Sequence, residues 1–145
     1  MPVKLRNEEG YYSREMTIEG SKFYVRDLGE HYDEFIDRNA VIAAESGIVA
    51  EGLDMATMLA RVIERTAAPD AQHATRRRLE EFFDWLLEVG LVKWNLPPEC
   101  IPENTTLLPA RLKSELGRAI VAESDLSLQE GNFLDRLGAQ PPRRQ

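Results

Sequence analysis

The hydrophobic pattern of this chain changes its period once, and that change limits the fold more than any other feature. Between Glu15 and Arg26 apolar residues alternate with polar ones, which is typical of half-buried β-strands. From Gly29 onward they recur every three or four residues, which predicts amphipathic helices. We therefore expect a mainly α protein of the α+β type, with about five helices and a small N-terminal β-hairpin.

The sequence also predicts where the hairpin turns. Gly20-Ser21 suits a two-residue type II′ turn, in which glycine takes the first central position because φ is positive there. This turn sets Ile18 opposite Phe23 and Glu19 opposite Lys22. Met16, Ile18, Phe23 and Val25 then form one apolar face. Because a lone hairpin is marginally stable in water, that face must lie on helices or extend the sheet of a partner.

Caps and glycines predict the helix boundaries. The first helix ends at Gly47, and Asp54 caps the second. The third helix carries the bulkiest apolar stripe, which consists of Leu79, Phe82, Phe83, Leu86 and Leu87. The segment 91–106 contains several prolines and is predicted to be an irregular connector. Pro109 opens a fourth helix, and the capping-box pattern at 127–130 predicts a separate fifth one.

These boundaries predict a single domain. A polar lead-in occupies residues 1–14, and the domain spans 15–138. Within the domain, the hairpin covers 15–26 and the helices cover 30–138. Residues 139–145 form a tail.

Composition excludes several classes of protein. Among 145 residues, 25 are acidic and 18 are lysine or arginine, which gives a net charge of -7. A duplex-DNA binder normally carries a basic face, so we expect no nucleic-acid partner. The start of the chain lacks the apolar core of a signal peptide, and no apolar run is long enough to span a bilayer. We expect no membrane association, and the single Cys100 fits a reducing compartment.

The sequence contains no recognisable arrangement of catalytic residues. The only histidines are His31 and His73, and neither lies beside a nucleophile in sequence. Cys100 has no thiol-protease signature around it. The acidic residues near Glu30 follow a solvated helical face, and no phosphate-binding, zinc or calcium motif is present. We therefore expect no enzyme activity, no cofactor and no metal site.

Some residues instead fit the recognition of another protein. Met55 and Met58 lie one helical turn apart and form either an adaptable peptide-binding stripe or part of the core. Trp94 lies in the predicted connector, close to Leu96, where it either holds the loop or contacts a partner. We take these four residues as the candidate binding site. The run Arg76-Arg77-Arg78 is either a solvated helix surface or a docking patch for an acidic partner.

The order of these parts resembles the tail assembly chaperones of long-tailed bacteriophages. A hairpin ending in Lys22–Leu28 precedes an acidic helix, and a long helix then leads into Val92–Leu96. A proline-rich link follows, with Ile101–Asn104 and then Leu107–Pro109. The resemblance covers roughly residues 15–125, and it consists of size, charge and the order of elements.

The resemblance implies a non-virion helper protein of the host cytoplasm. Such chaperones bind the long helical tape measure protein, keep it soluble, and assist the tail tube protein in polymerising around it. The gene is commonly read in two frames, and this chain matches the short form. The family has no catalytic residues. Self-association is also compatible with an exposed hairpin edge.

Two other classes remain open at this stage. A structural head–tail connector or tail-completion protein is also small, helical and acidic, and it differs from a chaperone in being part of the finished virion. A regulatory or adaptor module is the third class, against which the charge balance argues if its ligand is nucleic acid.

Overall fold

Five helices and one small antiparallel sheet make up the part of the chain that the structure describes. The structure is a computed structural model, which describes residues 9–49 and 52–139, with side chains as far as residue 126. The elements are β1 (Arg14–Ile18), β2 (Ser21–Val25), α1 (Tyr32–Glu45), α2 (Met55–Thr66), α3 (His73–Gly90), β3 (Leu91–Trp94), α4 (Pro102–Thr105) and α5 (Ala110–Ala139). The expected class, mainly α with a small N-terminal β-hairpin, is confirmed.

The predicted end segments are only partly covered by this description. Residues 1–8 of the lead-in and 140–145 of the tail lie outside the described residues. The rest of the lead-in lies against the sheet, because the Ser13 amide donates to the Val25 carbonyl at 2.9 Å. The ring of Tyr12 meets that of Tyr24 edge-on, with 4.8 Å between their centroids.

The hairpin turn lies one residue earlier than the sequence predicts. Glu19 and Gly20 are its central residues, with φ of 52° and 83°, and a type I′ turn requires this pair of positive angles. Ile18 lies opposite Ser21. The predicted type II′ turn and its pairing of Ile18 with Phe23 are therefore wrong.

The observed position of the turn is supported by a contact with a residue outside the hairpin. A non-glycine residue with positive φ is strained, and Glu19 is held there by two hydrogen bonds to Arg111. The predicted pairing of Glu19 with Lys22 is wrong for the same reason, and Lys22 instead lies 3.8 Å from the carboxylate of Glu15. The register moves by two residues, so the same apolar residues still share one face.

A third strand completes the sheet. The strand order is β1-β2-β3, so β2 is central and β3 pairs with it antiparallel, with Phe23 opposite Trp94. Asn95 extends the pairing, since its side chain accepts from the Lys22 amide at 2.8 Å and its own amide donates to the Lys22 carbonyl. The interpretation of 91–106 as wholly irregular is therefore wrong at its start, where a strand far along the chain stabilises the hairpin.

Two predicted helix ends are confirmed. The Asp54 carboxylate accepts from the Thr57 amide at 2.7 Å and caps α2. Gly47 follows α1 with φ of 73°, and the amides of Gly47 and Ile48 donate to the carbonyls of Ala44 and Ala43. That pair of bonds is the Schellman motif, which places glycine after the last helical residue.

The predicted break before residue 127 is wrong, because α5 runs without interruption from Ala110 to Ala139. A capping box stabilises a helix start only where the preceding residues are not helical. Here the preceding turn is anchored: the Ser124 hydroxyl donates to the Ile120 carbonyl and accepts from the Leu28 amide at 2.9 Å. The number of helices is still five, because the short α4 was not predicted.

The core lies between the sheet and the helices. Phe23 and Val25 of the central strand are almost fully buried. The rings of Phe35 on α1 and Phe82 on α3 are stacked, with centroids 5.8 Å apart. The apolar face of the hairpin therefore packs on the helices of its own chain, which is the first of the two arrangements that the sequence predicts.

Two glycines allow α3 and α5 to approach each other closely. A Cβ atom at Gly117 of α5 would lie 2.4 Å from the ring of Phe83, and one at Gly90 of α3 would lie 2.6 Å from Ile120. Each glycine thus faces a bulky buried side chain of the other helix. The contact is the most extensive between any two described helices.

This contact predicts that Gly117→Ala destabilises the protein, although alanine favours helix formation. The added methyl group overlaps the buried Phe83 ring, which has little room to move. We expect the free energy of unfolding to fall by about 1–3 kcal/mol, measured by urea denaturation. Glu115→Ala, at an exposed position of the same helix, serves as the control and should change it by less than about 0.5 kcal/mol. An unchanged midpoint for Gly117→Ala would contradict the close approach.

Candidate functional site

Two clefts lie next to each other along one side of α5. The first, of about 660 Å³, lies between the end of α2, the first half of α3 and the start of α5. The second, also of about 660 Å³, lies between β1, α2 and α5. Arg111 and Ser114 line both. We call the two clefts together the trough.

The helical period of α5 explains why the trough has polar walls. Leu112, Leu116 and Ile120 are buried in the core, whereas Glu115 and Arg118, which lie between them in sequence, are exposed. Arg111 and Arg118 are exposed and line the trough. Residues spaced by three or four share one face of a helix, so a single stripe of α5 forms one wall along the whole trough.

Apolar side chains form the floor. Phe83 and Leu79 of α3, with Ile63 of α2, line the first cleft. Leu59 of α2 and Met16 of β1 line the second. Apolar floors with polar walls are typical of grooves that take amphipathic segments.

The walls of the trough are strongly cationic. Six lysine or arginine side chains and two carboxylates line it, although acidic residues outnumber basic ones in the chain as a whole. The cations are Arg14, Arg76, Arg77, Arg111, Lys113 and Arg118, and the carboxylates are Glu80 and Glu115.

Arg111, at the junction of the clefts, is already paired. Its Nε and Nη2 atoms donate to the two carboxylate oxygens of Glu19, at 3.0 and 2.9 Å. These hydrogen bonds and the charge of Arg111 lower the pKa of Glu19 below its usual value. The pair links the hairpin turn to the first turn of α5.

Lys113 and Arg76 also have partners. The Lys113 ammonium group is almost fully buried and forms an ion pair, rather than an aligned hydrogen bond, with Asp84 at 2.8 Å. Glu80 lies farther away, at 3.9 Å. Arg76 donates to the carbonyls of Thr66 and Ala68 and so caps the end of α2. Both residues support the walls of the trough, and their charges are partly compensated.

Three cations remain for a ligand. Among the residues that the structure describes, Arg14, Arg77 and Arg118 form no ion pair, and all three are exposed. Arg77 lines the first cleft, whereas Arg14 and Arg118 line the second. The trough therefore presents uncompensated positive charge toward both of its ends.

The predicted binding residues lie elsewhere. Met58 is 4% exposed and belongs to the core, and Met55 is half-buried beside the amide group of Asn39. Trp94 is half-buried and donates from its indole to the Pro98 carbonyl at 2.6 Å, which holds the loop after β3. Leu96 is half-buried against the core. None of the four lines the trough, and their role in partner binding stays a prediction.

The arginine run divides among three environments. Arg76 caps α2, Arg77 lines the trough, and Arg78 forms an ion pair with Glu45 at 2.7 Å. Consecutive helical residues point about 100° apart, so a run of three cannot form one patch. The patterns in the sequence do not indicate the cations on β1 and α5 as part of a site, although the spacing of Arg111 and Arg118 on one helix face is a usable signal.

Within residues 9–49 and 52–139, no group of three or more histidine, cysteine or acidic side chains is arranged to hold a metal ion. None of the helices described there combines the length and apolarity needed to cross a membrane. Burial raises the pKa of the Cys100 thiol to about 11, which opposes formation of a nucleophilic thiolate at neutral pH.

No family model, no curated protein and no solved structure matches this chain.

The ion pair beneath the trough predicts the effect of Asp84→Ala. The substitution leaves the buried Lys113 with only the more distant Glu80 as a partner. We expect the free energy of unfolding to fall by about 1–3 kcal/mol, because an uncompensated buried charge is costly. Thermal unfolding measures the loss. Glu80→Ala is the control and should change stability by less than about 0.5 kcal/mol, since Glu80 is mostly exposed. Equal effects would contradict the assignment of Asp84 as the main partner.

The raised pKa of Cys100 predicts a slowly reacting thiol. With a pKa of about 11 rather than 9.0, the thiolate fraction at pH 8 is lower by about 100-fold. Alkylation by iodoacetamide should therefore be about 100-fold slower in the folded protein than in urea, as followed by mass spectrometry. Equal rates in both states would show that the thiol is not shielded.

Proposed function

We propose that this chain is a non-catalytic binding protein, and that it acts as a tail assembly chaperone of a long-tailed phage. In this role it binds and solubilises the tape measure protein in the host cytoplasm and assists polymerisation of the tail tube protein. The observation that carries the proposal is the trough, an open groove with an apolar floor and polar walls. The order of elements that resembles this family supports it.

The trough has the dimensions of a helix-binding groove. It follows α5 from Ala110 to Ala122, which at 1.5 Å per residue is about 18 Å. A helix of about 12 residues has the same length and presents three turns. Its apolar stripe would cover Ile63, Met16 and Ala67, which are not buried, so burial of apolar surface on both sides drives binding.

This length also suits a chaperone rather than a permanent subunit. One trough covers only a short part of a long amphipathic helix, so each contact is small and reversible. Several copies bound along one tape measure protein would together shield its apolar stripe. Their like net charge of -7 each would keep the resulting complex soluble.

Co-expression with the tape measure protein of the same phage tests the proposal. We expect the tape measure protein to be soluble with this chain and to aggregate without it, as measured by the supernatant fraction after centrifugation. Ser114→Trp fills the junction of the two clefts and should abolish the effect. Ala44→Trp adds the same side chain at an exposed position of α1 away from the trough and should preserve it.

Two results would overturn this function. One is aggregation of the tape measure protein regardless of this chain. The other is recovery of the chain in stoichiometric amounts from purified virions by mass spectrometry, which would favour the structural alternative, a head–tail connector or tail-completion protein.

A further inference from the structure

We propose that the trough takes an acidic amphipathic helix and that Arg77 and Arg118 bind its carboxylates. The inference rests on the binding role proposed above and specifies the chemistry of the partner. Its basis is the juxtaposition, in one groove, of an apolar floor with exposed, unpaired guanidinium groups in both clefts.

The charge of the trough is opposite to that of the protein. Six cations against two carboxylates line the groove, whereas the whole chain has 18 lysine or arginine residues against 25 acidic ones. Positive charge is therefore concentrated on one surface of an acidic molecule. Complementary charge is the property by which interfaces select partners and accelerate encounter.

The arrangement of the cations predicts where the partner carries its acids. Arg111, at the junction, already has both carboxylate oxygens of Glu19 as acceptors. Arg77 lies only in the first cleft and Arg118 only in the second. A matching helix therefore carries acidic residues toward both ends and needs none at its centre.

The floor favours a peptide over a nucleic acid. Ile63 and Met16 are half-buried and offer apolar contacts, whereas Phe83 is 4% exposed, too little for a base to stack on its ring. Such a floor accommodates leucine-like side chains at helical spacing. The bidentate geometry of guanidinium groups suits carboxylates placed on either side of that stripe.

A designed peptide provides the test. The probe is a 16-residue helical peptide with leucines at positions i, i+3, i+4 and i+7 and glutamates toward both ends. Its matched control replaces each glutamate with lysine. We expect the acidic peptide to bind with a dissociation constant at least about tenfold lower than that of the lysine peptide, by fluorescence anisotropy at about 50 mM salt. Raising the salt to about 500 mM should reduce binding of the acidic peptide about tenfold.

Two double variants that change the net charge by the same amount test whether the peptide binds in the trough. Arg77→Glu with Arg118→Glu should weaken binding of the acidic peptide by about tenfold or more. Arg61→Glu with Arg65→Glu changes the net charge equally on the opposite face of α2, and should weaken it less than about threefold. A further check is Ser114→Trp, which should prevent binding without altering any charge.

Four results would overturn the inference. They are equal affinity for the acidic and lysine peptides, equal effects of the two double variants, insensitivity to Ser114→Trp, and tighter binding of an oligonucleotide than of the acidic peptide.

Failure of this inference can be distinguished from failure of the proposed chaperone function. If the tape measure protein is kept soluble but the acidic peptide does not bind, the charge pattern is wrong and the chaperone role stands. If the peptide binds in the trough and the tape measure protein is unaffected, the site is right and the chaperone role is wrong.

Discussion

The close contact between α3 and α5 is the constraint on which the rest of the structure depends. Because Gly117 has no side chain, the Phe83 ring packs directly against α5, and because Gly90 has none, Ile120 packs directly against α3. Gly90 is also where the helical layer meets the sheet, since its carbonyl accepts from the Arg26 amide at 2.9 Å and β3 begins at the next residue. The same contact therefore sets the helix spacing, holds the central strand and places Phe83 at the floor of the trough.

The two helices also share a buried charge. Lys113 is 5% exposed, whereas its main partner Asp84 keeps 26% of its side chain exposed. Burying an ion pair gains little stability, because the loss of hydration offsets the attraction. The pair also fixes the position of the lysine: the Lys113 ammonium group lines the trough but is already bound to Asp84. Arg77 and Arg118, which form no ion pair among the described residues, are left to meet a ligand.

Local patterns predicted the elements well and their long-range contacts poorly. Asp54 and Gly47 were identified because a cap and a Schellman motif involve only neighbours in sequence. The turn at Glu19 was misplaced because the side chain that stabilises it, Arg111, lies 92 residues away. β3 was missed because a four-residue strand gains its stability from β2. The trough combines residues from three helices and a strand, so the basic run at Arg76 revealed only one of its walls.

The opposite charges of the trough and the whole protein are compatible because salt screens electrostatic interactions over short distances. At physiological ionic strength the screening length is about 8 Å, whereas the trough extends for about 18 Å. A helix lying in it therefore responds mainly to Arg77, Arg118 and their neighbours, and only weakly to acidic residues on the far surface. Two copies of the chain that approach at random each carry a net charge of -7 and repel each other. The same distribution of charge can thus keep the free protein dispersed and still attract an acidic partner to one groove.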